Sequence, residues 1–258
     1  MIVNDRIVSY IHSLESQNSE TLEKIEQCAI KDNVPIIRKE MESFLRVMLE
    51  ISKPLNVLEL GCAIGYSAIL MSEYLPEGGH ITTIENYDKR IVEAKSNIQM
   101  AGLEDKITLL EGDAMEVMKD LESGKYDFVF MDAAKGQYIN FLPDVLRLLS
   151  EGGVLVSDNI LQDGDIIESR FAITKRNRTI HARMREYLYT LKHHEQLETS
   201  ILPYEDCCTV FTPKHPKTKP TLGQVLNAEK DLDREALIQQ ALESVEKIAV
   251  KYTDDPLL

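Results

Sequence analysis

Two acids and one amide pose the first chemical question. Asp132 follows the apolar run Tyr126 to Met131, and Asp158-Asn159 follows the run Gly153 to Ser157. Two carboxylates and an amide oxygen form a hard, all-oxygen ligand set, suited to Mg²⁺, Mn²⁺ or Ca²⁺ and poorly suited to zinc. Three protein ligands leave an octahedral ion about three positions for water or substrate oxygens. The plainer alternative for Asp158-Asn159 is a cap or a turn. Lys135 stands three residues after Asp132 in Met-Asp-Ala-Ala-Lys-Gly-Gln-Tyr. A loop lysine is usually a solvated charge. Beside a divalent ion, however, its cationic form is disfavoured and it becomes a usable base, while the ion acidifies a bound hydroxyl.

A second constellation surrounds Glu59-Leu60-Gly61-Cys62-Ala63-Ile64-Gly65-Tyr66-Ser67. A run of β-formers breaks at Gly61 and resumes after Gly65 as a helical pattern, which predicts strand, tight turn, helix. Glycine lets the backbone approach a ligand, and the free N–H groups of the next helix attract carboxylate or phosphate. The spacing excludes the dinucleotide fingerprint, because Ala63 and Tyr66 stand where its later glycines belong. It also excludes a P-loop, which needs Gly-Lys at Tyr66 and Ser67. Glu85 lies where a carboxylate at the end of a second strand accepts both ribose hydroxyls, although a helix N-terminal charge explains it too. Gly112-Asp113-Ala114 reads as a helix cap or as an adenine contact made by the Asp113 side chain and the Ala114 backbone. Ile37 ends the extended stretch Val34-Pro35-Ile36-Ile37, which either covers a ligand or packs in the core.

These residues need elements to place them. Periodicity predicts strands near 56–60, 80–84, 106–110, 126–131 and 153–157, separated by helices near 66–75, 88–101, 113–122 and 138–149. Helix-sized crossovers require parallel pairing, so the expectation is a doubly wound α/β sheet with its ligands at the carboxyl ends of the strands. Glu59, Gly61, Glu85, Asp113, Asp132 and Asp158-Asn159 all fall at or just past such ends. Helices precede this unit: Val3, Ile7, Tyr10, Ile11 and Leu14 recur at helical spacing, as do Leu22, Ile25, Ala29 and Ile30, and then Met41, Phe44, Leu45 and Met48.

At 258 residues and 43% hydrophobic composition the chain can bury a large core. No apolar run is long enough to span a membrane, and the first ten residues lack a signal-peptide pattern, so a cytoplasmic protein is expected. Cys28, Cys62, Cys207 and Cys208 form no CxxC pair and read as reduced thiols. The net charge of −14 argues against non-specific nucleic-acid binding by the whole protein. One segment runs the other way: Arg170, Lys175, Arg176, Arg178, Arg183, Arg185 and Lys192 face the single acid Glu186 within 170–194. A stripe of Ile173, Ile180, Met184, Tyr187, Leu188 and Leu191 places those cations on the flanks of one helix. They are either a solvated face or a surface for phosphates, whether of RNA or of a coenzyme A thioester. Beyond Phe211, residues 214–220 read as a linker. Ile238, Ala241, Leu242, Val245, Ile248, Ala249 and Tyr252 mark an amphipathic helix that packs back or pairs with a second subunit.

Taken together, the Glu59 to Ser67 turn, Glu85, Gly112-Asp113-Ala114, Met131 to Lys135 and Asp158-Asn159 stand in the order and spacing of a known family. The chain resembles the metal-dependent catechol and caffeoyl-coenzyme A O-methyltransferases over about residues 30 to 213. Asp-Ala-Ala-Lys-Gly-Gln-Tyr with Asp-Asn-Ile-Leu is most similar to the bacterial branch that includes the tRNA 5-hydroxyuridine methyltransferase. The resemblance implies a Rossmann-like, mostly parallel seven-stranded sheet within residues 1–213, a 214–220 linker and a helical extension over 221–258. It implies Asp132, Asp158 and Asn159 as metal ligands with Lys135 as base. It also implies Ile37, Glu59, Gly61, Ser67, Glu85, Asp113, Ala114 and Asp132 around S-adenosylmethionine. One departure stands out: Tyr204-Glu205-Asp206-Cys207-Cys208 replaces the Gly-Asp-Gly turn expected before the last strand. The expected activity is O-methylation of 5-hydroxyuridine in a tRNA anticodon loop by a homodimer. The alternatives are a small catechol or phenol as acceptor, or a non-catalytic RNA-binding protein on the same fold. A catechol and a 5-hydroxyuridine each offer two neighbouring oxygens, so the metal motif does not choose between them.

Overall fold

The computed structural model describes residues 4–169, 171, 174–203 and 207–211. Three helices come first, α1 (Asp5–His12), α2 (Glu20–Lys31) and α3 (Lys39–Ser52). Alternation then begins with β1 (Asn56–Leu60), α4 (Tyr66–Ser72), β2 (His80–Glu85), α5 (Asp88–Met100), β3 (Ile107–Glu111) and α6 (Ala114–Val117). It continues through β4 (Tyr126–Met131), α7 (Tyr138–Leu148), β5 (Leu149–Ser157), α8 (Lys175–His193), β6 (Glu198–Leu202) and β7 (Cys207–Phe211). The strands form one sheet in the order β3-β2-β1-β4-β5-β7-β6. The first five are parallel, and β7 runs antiparallel to both β5 and β6.

Side-chain alternation along the strands explains the layers. Val57, Ile81, Phe128, Phe130, Val154 and Val156 point to one face, where they pack with Leu22, Ile25, Met41, Leu45 and Leu49 of α2 and α3 and with Ile69 and Leu70 of α4. Leu58, Leu60, Ile84, Val129, Met131 and Leu155 point to the other, against Tyr138, Phe141, Leu142 and Val145 of α7 and Met184, Tyr187 and Leu191 of α8. Both faces of the central strands are therefore buried, as a parallel sheet requires.

Two boundaries differ most from the periodicity. The last parallel strand, expected over 153–157, begins at Leu149, which pairs with Tyr126 across a register shift in β4. Gly152 and Gly153 look like turn punctuation but sit inside the strand. The helix expected over 113–122 stops at Val117 and tightens into a 3₁₀ turn, Met118–Asp120. The chain divides between Pro216 and Lys217. The expected linker and helical extension lie outside the described residues, as do Arg170, Ile173 and Tyr204 to Asp206.

Candidate active site

The order of the sheet reverses between β1 and β4, and open α/β sheets take their ligands in the crevice at such a point. Backbone bonds extend the ladder just past the strand ends there. The N–H of Gly61 donates to Ile84 O at 3.1 Å, that of Asp132 to Leu60 O at 2.9 Å, and that of Asp158 to Met131 O at 3.0 Å. Gly61, Asp132 and Asp158 are thus held along one rim. Gly61 has φ +97°, and a Cβ on it would collide with the backbone carbonyl of Asp132. Only glycine lets the turn lie this close to the end of β4.

A cavity of about 390 Å³ opens on this rim. Five of the residues singled out in the sequence line it: Gly61, Glu85, Asp113, Ala114 and Asp132. Glu85 is anchored by three backbone donors, with Ala63 N–H at 2.8 Å on one carboxylate oxygen and Asn86 and Tyr87 N–H at 3.0 Å on the other. Asp113 is the N-cap of α6 and accepts from Met115 N–H at 2.8 Å, so it both caps and lines. The cavity also takes Asn86, Gln137 and Phe141, to which the sequence assigned no role in the site. Phe141 reads as one more apolar residue of a helical stripe, Asn86 belongs to no motif, and Gln137 stands in the Asp-Ala-Ala-Lys-Gly-Gln-Tyr run without a role assigned to it.

Three expected cofactor residues sit beneath the surface. Ile37 is buried in the core layer that contains Met41 and Leu45. Glu59 is fully buried in β1, where its carboxylate accepts from the hydroxyls of Ser67 and Thr83. Burial pushes the Glu59 carboxyl up to about 7, with the negative charges of Asp132 and Glu85 adding and the two hydroxyl bonds opposing. Ser67, in the first turn of α4, is buried as well and commits its proton to Glu59.

The other half of the rim is arranged by side chains. Lys135 Nζ lies 2.6 Å from Asp132 Oδ1, 3.0 Å from the Tyr138 hydroxyl and 3.2 Å from the Asp158 carbonyl. Burial and the charge of Asp132 push the Asp158 carboxyl up to about 7, while Lys135 and Arg38 pull it the other way. Asn159 has φ +51°, and its Oδ1 is buried with no hydrogen-bond partner. An orphaned carbonyl oxygen next to a carboxyl whose proton affinity a second acid raises suits a hard cation. Among the described residues no group of three or more His, Cys, Asp or Glu is drawn together as a metal cluster; the oxygen set here consists of two acids and an amide.

Helix α8 borders this half. Arg183 donates to Gly136 O at 3.0 Å, which ties α8 to the turn that carries Lys135. Arg185 donates to the carbonyls of Ile166 and Glu168 at 2.7 and 2.8 Å, and Lys192 to Thr199 O at 2.7 Å. These cations are spent on carbonyls rather than on acids. Met184, Tyr187 and Leu191 form the buried stripe as spaced, and His181, unmarked in the sequence, joins them.

This sheet order, with a glycine turn at its switch point, is that of the Rossmann-like methyltransferase fold. The O-methyltransferase family matches residues 12–213, and the chain belongs to it. It is an S-adenosylmethionine-dependent methyltransferase, related to the catechol and caffeoyl-coenzyme A enzymes. A catechol O-methyltransferase of Niastella koreensis is 34% identical over 128 residues, 48% of this chain and 58% of that enzyme. Caffeoyl-CoA O-methyltransferase 2 of Populus trichocarpa is 31% identical over 180 residues, 65% of this chain and 71% of that enzyme. The solved SAH-bound methyltransferase of Podospora anserina superposes with a TM-score of 0.73 at 24% identity, over 82% of this chain and 95% of its own, which shows the shared fold. A stretch of 54 residues, 21% of the chain, is 67% identical to 14% of a "Probable tRNA sulfurtransferase" of Clostridium acetobutylicum. That match is a shared segment and no more.

Proposed function

We propose that this chain transfers the methyl group of S-adenosylmethionine to one hydroxyl of a small catechol-type phenol, with Asp132, Asp158 and Asn159 holding a divalent cation. The observation that carries this reading is the unbalanced rim: the orphaned Asn159 Oδ1 and the raised Asp158 carboxyl beside Asp132. The names of the catechol and caffeoyl-coenzyme A relatives support the acceptor class.

A hard cation bound there supplies positive charge that favours the ionised form of an acceptor hydroxyl. The rest is done by the protein. The glycine turn and Glu85 hold the methyl donor in the cavity, with Glu85 offering acceptor oxygens to its ribose hydroxyls. Lys135 Nζ, beside Asp132, stands where the acceptor hydroxyl would shed its proton. The acceptor oxygen then attacks the methyl carbon, the carbon–sulfur bond breaks with its electrons going to sulfur, and S-adenosylhomocysteine leaves. Holding the two reactants in line accounts for much of the rate.

A second reading keeps the same chemistry with 5-hydroxyuridine in tRNA as acceptor. It is supported by Arg178, Arg183 and Arg185 on α8, whose charges no acid neutralises in the described structure. Such cations suit phosphates. A cytoplasmic setting and a homodimer complete the proposal; exposed Ile7 and Tyr10 on α1 and Leu14 just past its end suit a second copy. No helix among the described residues is long and apolar enough to cross a membrane. Methyl transfer to catechol and to 5-hydroxyuridine tRNA, measured side by side, tests the choice. Turnover of catechol is expected; transfer to tRNA alone would overturn the first reading in favour of the second.

A further inference from the structure

Behind Lys135 lies a buried phenol that the proposed chemistry has not used. Tyr138, the first residue of α7, has no exposed surface. Its hydroxyl lies 2.8 Å from Met131 O and 3.3 Å from Asp158 O, the carbonyls at the ends of β4 and β5. A phenol has one proton to give, and those carbonyls take it. Toward Lys135 Nζ, 3.0 Å away, the same oxygen can only accept. The ring is fixed from behind: Tyr187 of α8 packs edge-on against it with centroids 5.5 Å apart. The Tyr187 hydroxyl is itself tied to Ser157 Oγ at 2.6 Å. The phenol oxygen is therefore a rigid point, set by two strands and two helices.

Lys135 has three N–H directions. One points to the Tyr138 oxygen, one to the Asp158 carbonyl, and one to Asp132 Oδ1. The first two acceptors are a buried ring and a backbone atom, neither of which can turn away. The third is a side chain that the proposed function assigns to a cation. We propose that Tyr138 is a positioning residue: its hydroxyl and the Asp158 carbonyl occupy two directions of the Lys135 amine, so that the third is aimed at the acceptor hydroxyl. This rests on the reading of Lys135 as the proton acceptor. In the transfer step Lys135 is the neutral amine, its two N–H bonds on the Tyr138 oxygen and the Asp158 carbonyl and its lone pair along the third direction; the acceptor O–H breaks, its proton joins that lone pair, its electron pair forms the new bond to the methyl carbon, and the carbon–sulfur bond breaks with its electrons going to sulfur.

Tyr138→Phe keeps the ring and its packing and removes only the oxygen. The test uses four full-length proteins: wild type, Tyr138→Phe, Lys135→Ala and the double variant. Each is assayed with S-adenosylmethionine, Mg²⁺ and catechol, and its thermal midpoint is recorded. Tyr138→Phe is expected to lower kcat about 30-fold, since a misplacement of about 1 Å can cost about 100-fold. KM for both substrates should stay within about twofold and the midpoint within a few degrees, as expected when only transition-state positioning is lost. In the Lys135→Ala background the same change should cost nothing, because the amine it aims is gone. Wild-type kcat in Tyr138→Phe overturns the proposal, as does an equal loss in both backgrounds, which would make the tyrosine merely structural. If Lys135→Ala itself is as fast as wild type, the reading of Lys135 falls and the positioning role falls with it. A slow Lys135→Ala with additive losses sinks the positioning role alone.

Discussion

The two halves of the rim are built on different principles. On the cofactor side the polar groups are satisfied within the protein: Glu85 holds three backbone N–H groups and Glu59 holds two hydroxyls. On the acceptor side a buried amide oxygen has no partner and a carboxyl is driven up to about 7. A satisfied half keeps its shape without its ligand. An unsatisfied half stores electrostatic cost that a cation relieves, so the first should be sensitive to shape and the second to charge.

The comparison breaks most visibly at Asp158. Asp158→Ala is expected to lower kcat about 1000-fold, on the scale of losing a preorganised electrostatic group, with the affinity for S-adenosylmethionine within about threefold. Single-turnover kinetics and calorimetric titration separate the two quantities. Next comes shape: Gly61→Ala forces a Cβ onto the Asp132 carbonyl at a positive φ. The expected loss is at least about 100-fold in cofactor affinity, from strain and overpacking together. A variant that binds normally would show that the turn is not the cradle.

Glu85→Gln keeps the bulk but removes the charge. It should weaken cofactor binding about tenfold and leave kcat at saturation close to wild type. The smallest effect concerns Glu59. Its folded carboxyl stands at about 7 against an ordinary 4.5, so the folded state holds the proton more tightly than the unfolded chain. This contribution to stability is therefore greatest at low pH, is lost as pH rises from 4.5 to about 7, and levels off above. The thermal midpoint of wild type minus that of Glu59→Gln should fall across that window; a rise would contradict the burial of an unpaired charge.

The sheet was legible because its signals are local. Asn56 to Leu60 and Tyr126 to Met131 are bounded apolar runs, and both became strands with those limits. Strand β5 was read short because its start is held by the pairing of Leu149 with Tyr126 of β4, a contact that two glycines disguise. At the site, acids at strand ends could be placed on one rim from topology alone. The role of Tyr138 could not: it closes the Asp-Ala-Ala-Lys-Gly-Gln-Tyr run as an aromatic residue at the start of an apolar helix, and only the fold brings its hydroxyl to Lys135. Ile37 could not be placed from sequence either; the structure puts it in the core layer with Met41 and Leu45.

The central claim is that the satisfied half holds the methyl donor while the unsatisfied half, with a cation, activates a phenol. Its most direct test is methyl transfer from labelled S-adenosylmethionine to catechol by the full chain, with Mg²⁺ and then with excess chelator. Mono-O-methylated catechol is expected with Mg²⁺, with loss of product in chelator and its return when Mg²⁺ is restored. Undiminished turnover in chelator, or no methylated catechol at any Mg²⁺ concentration, would contradict it.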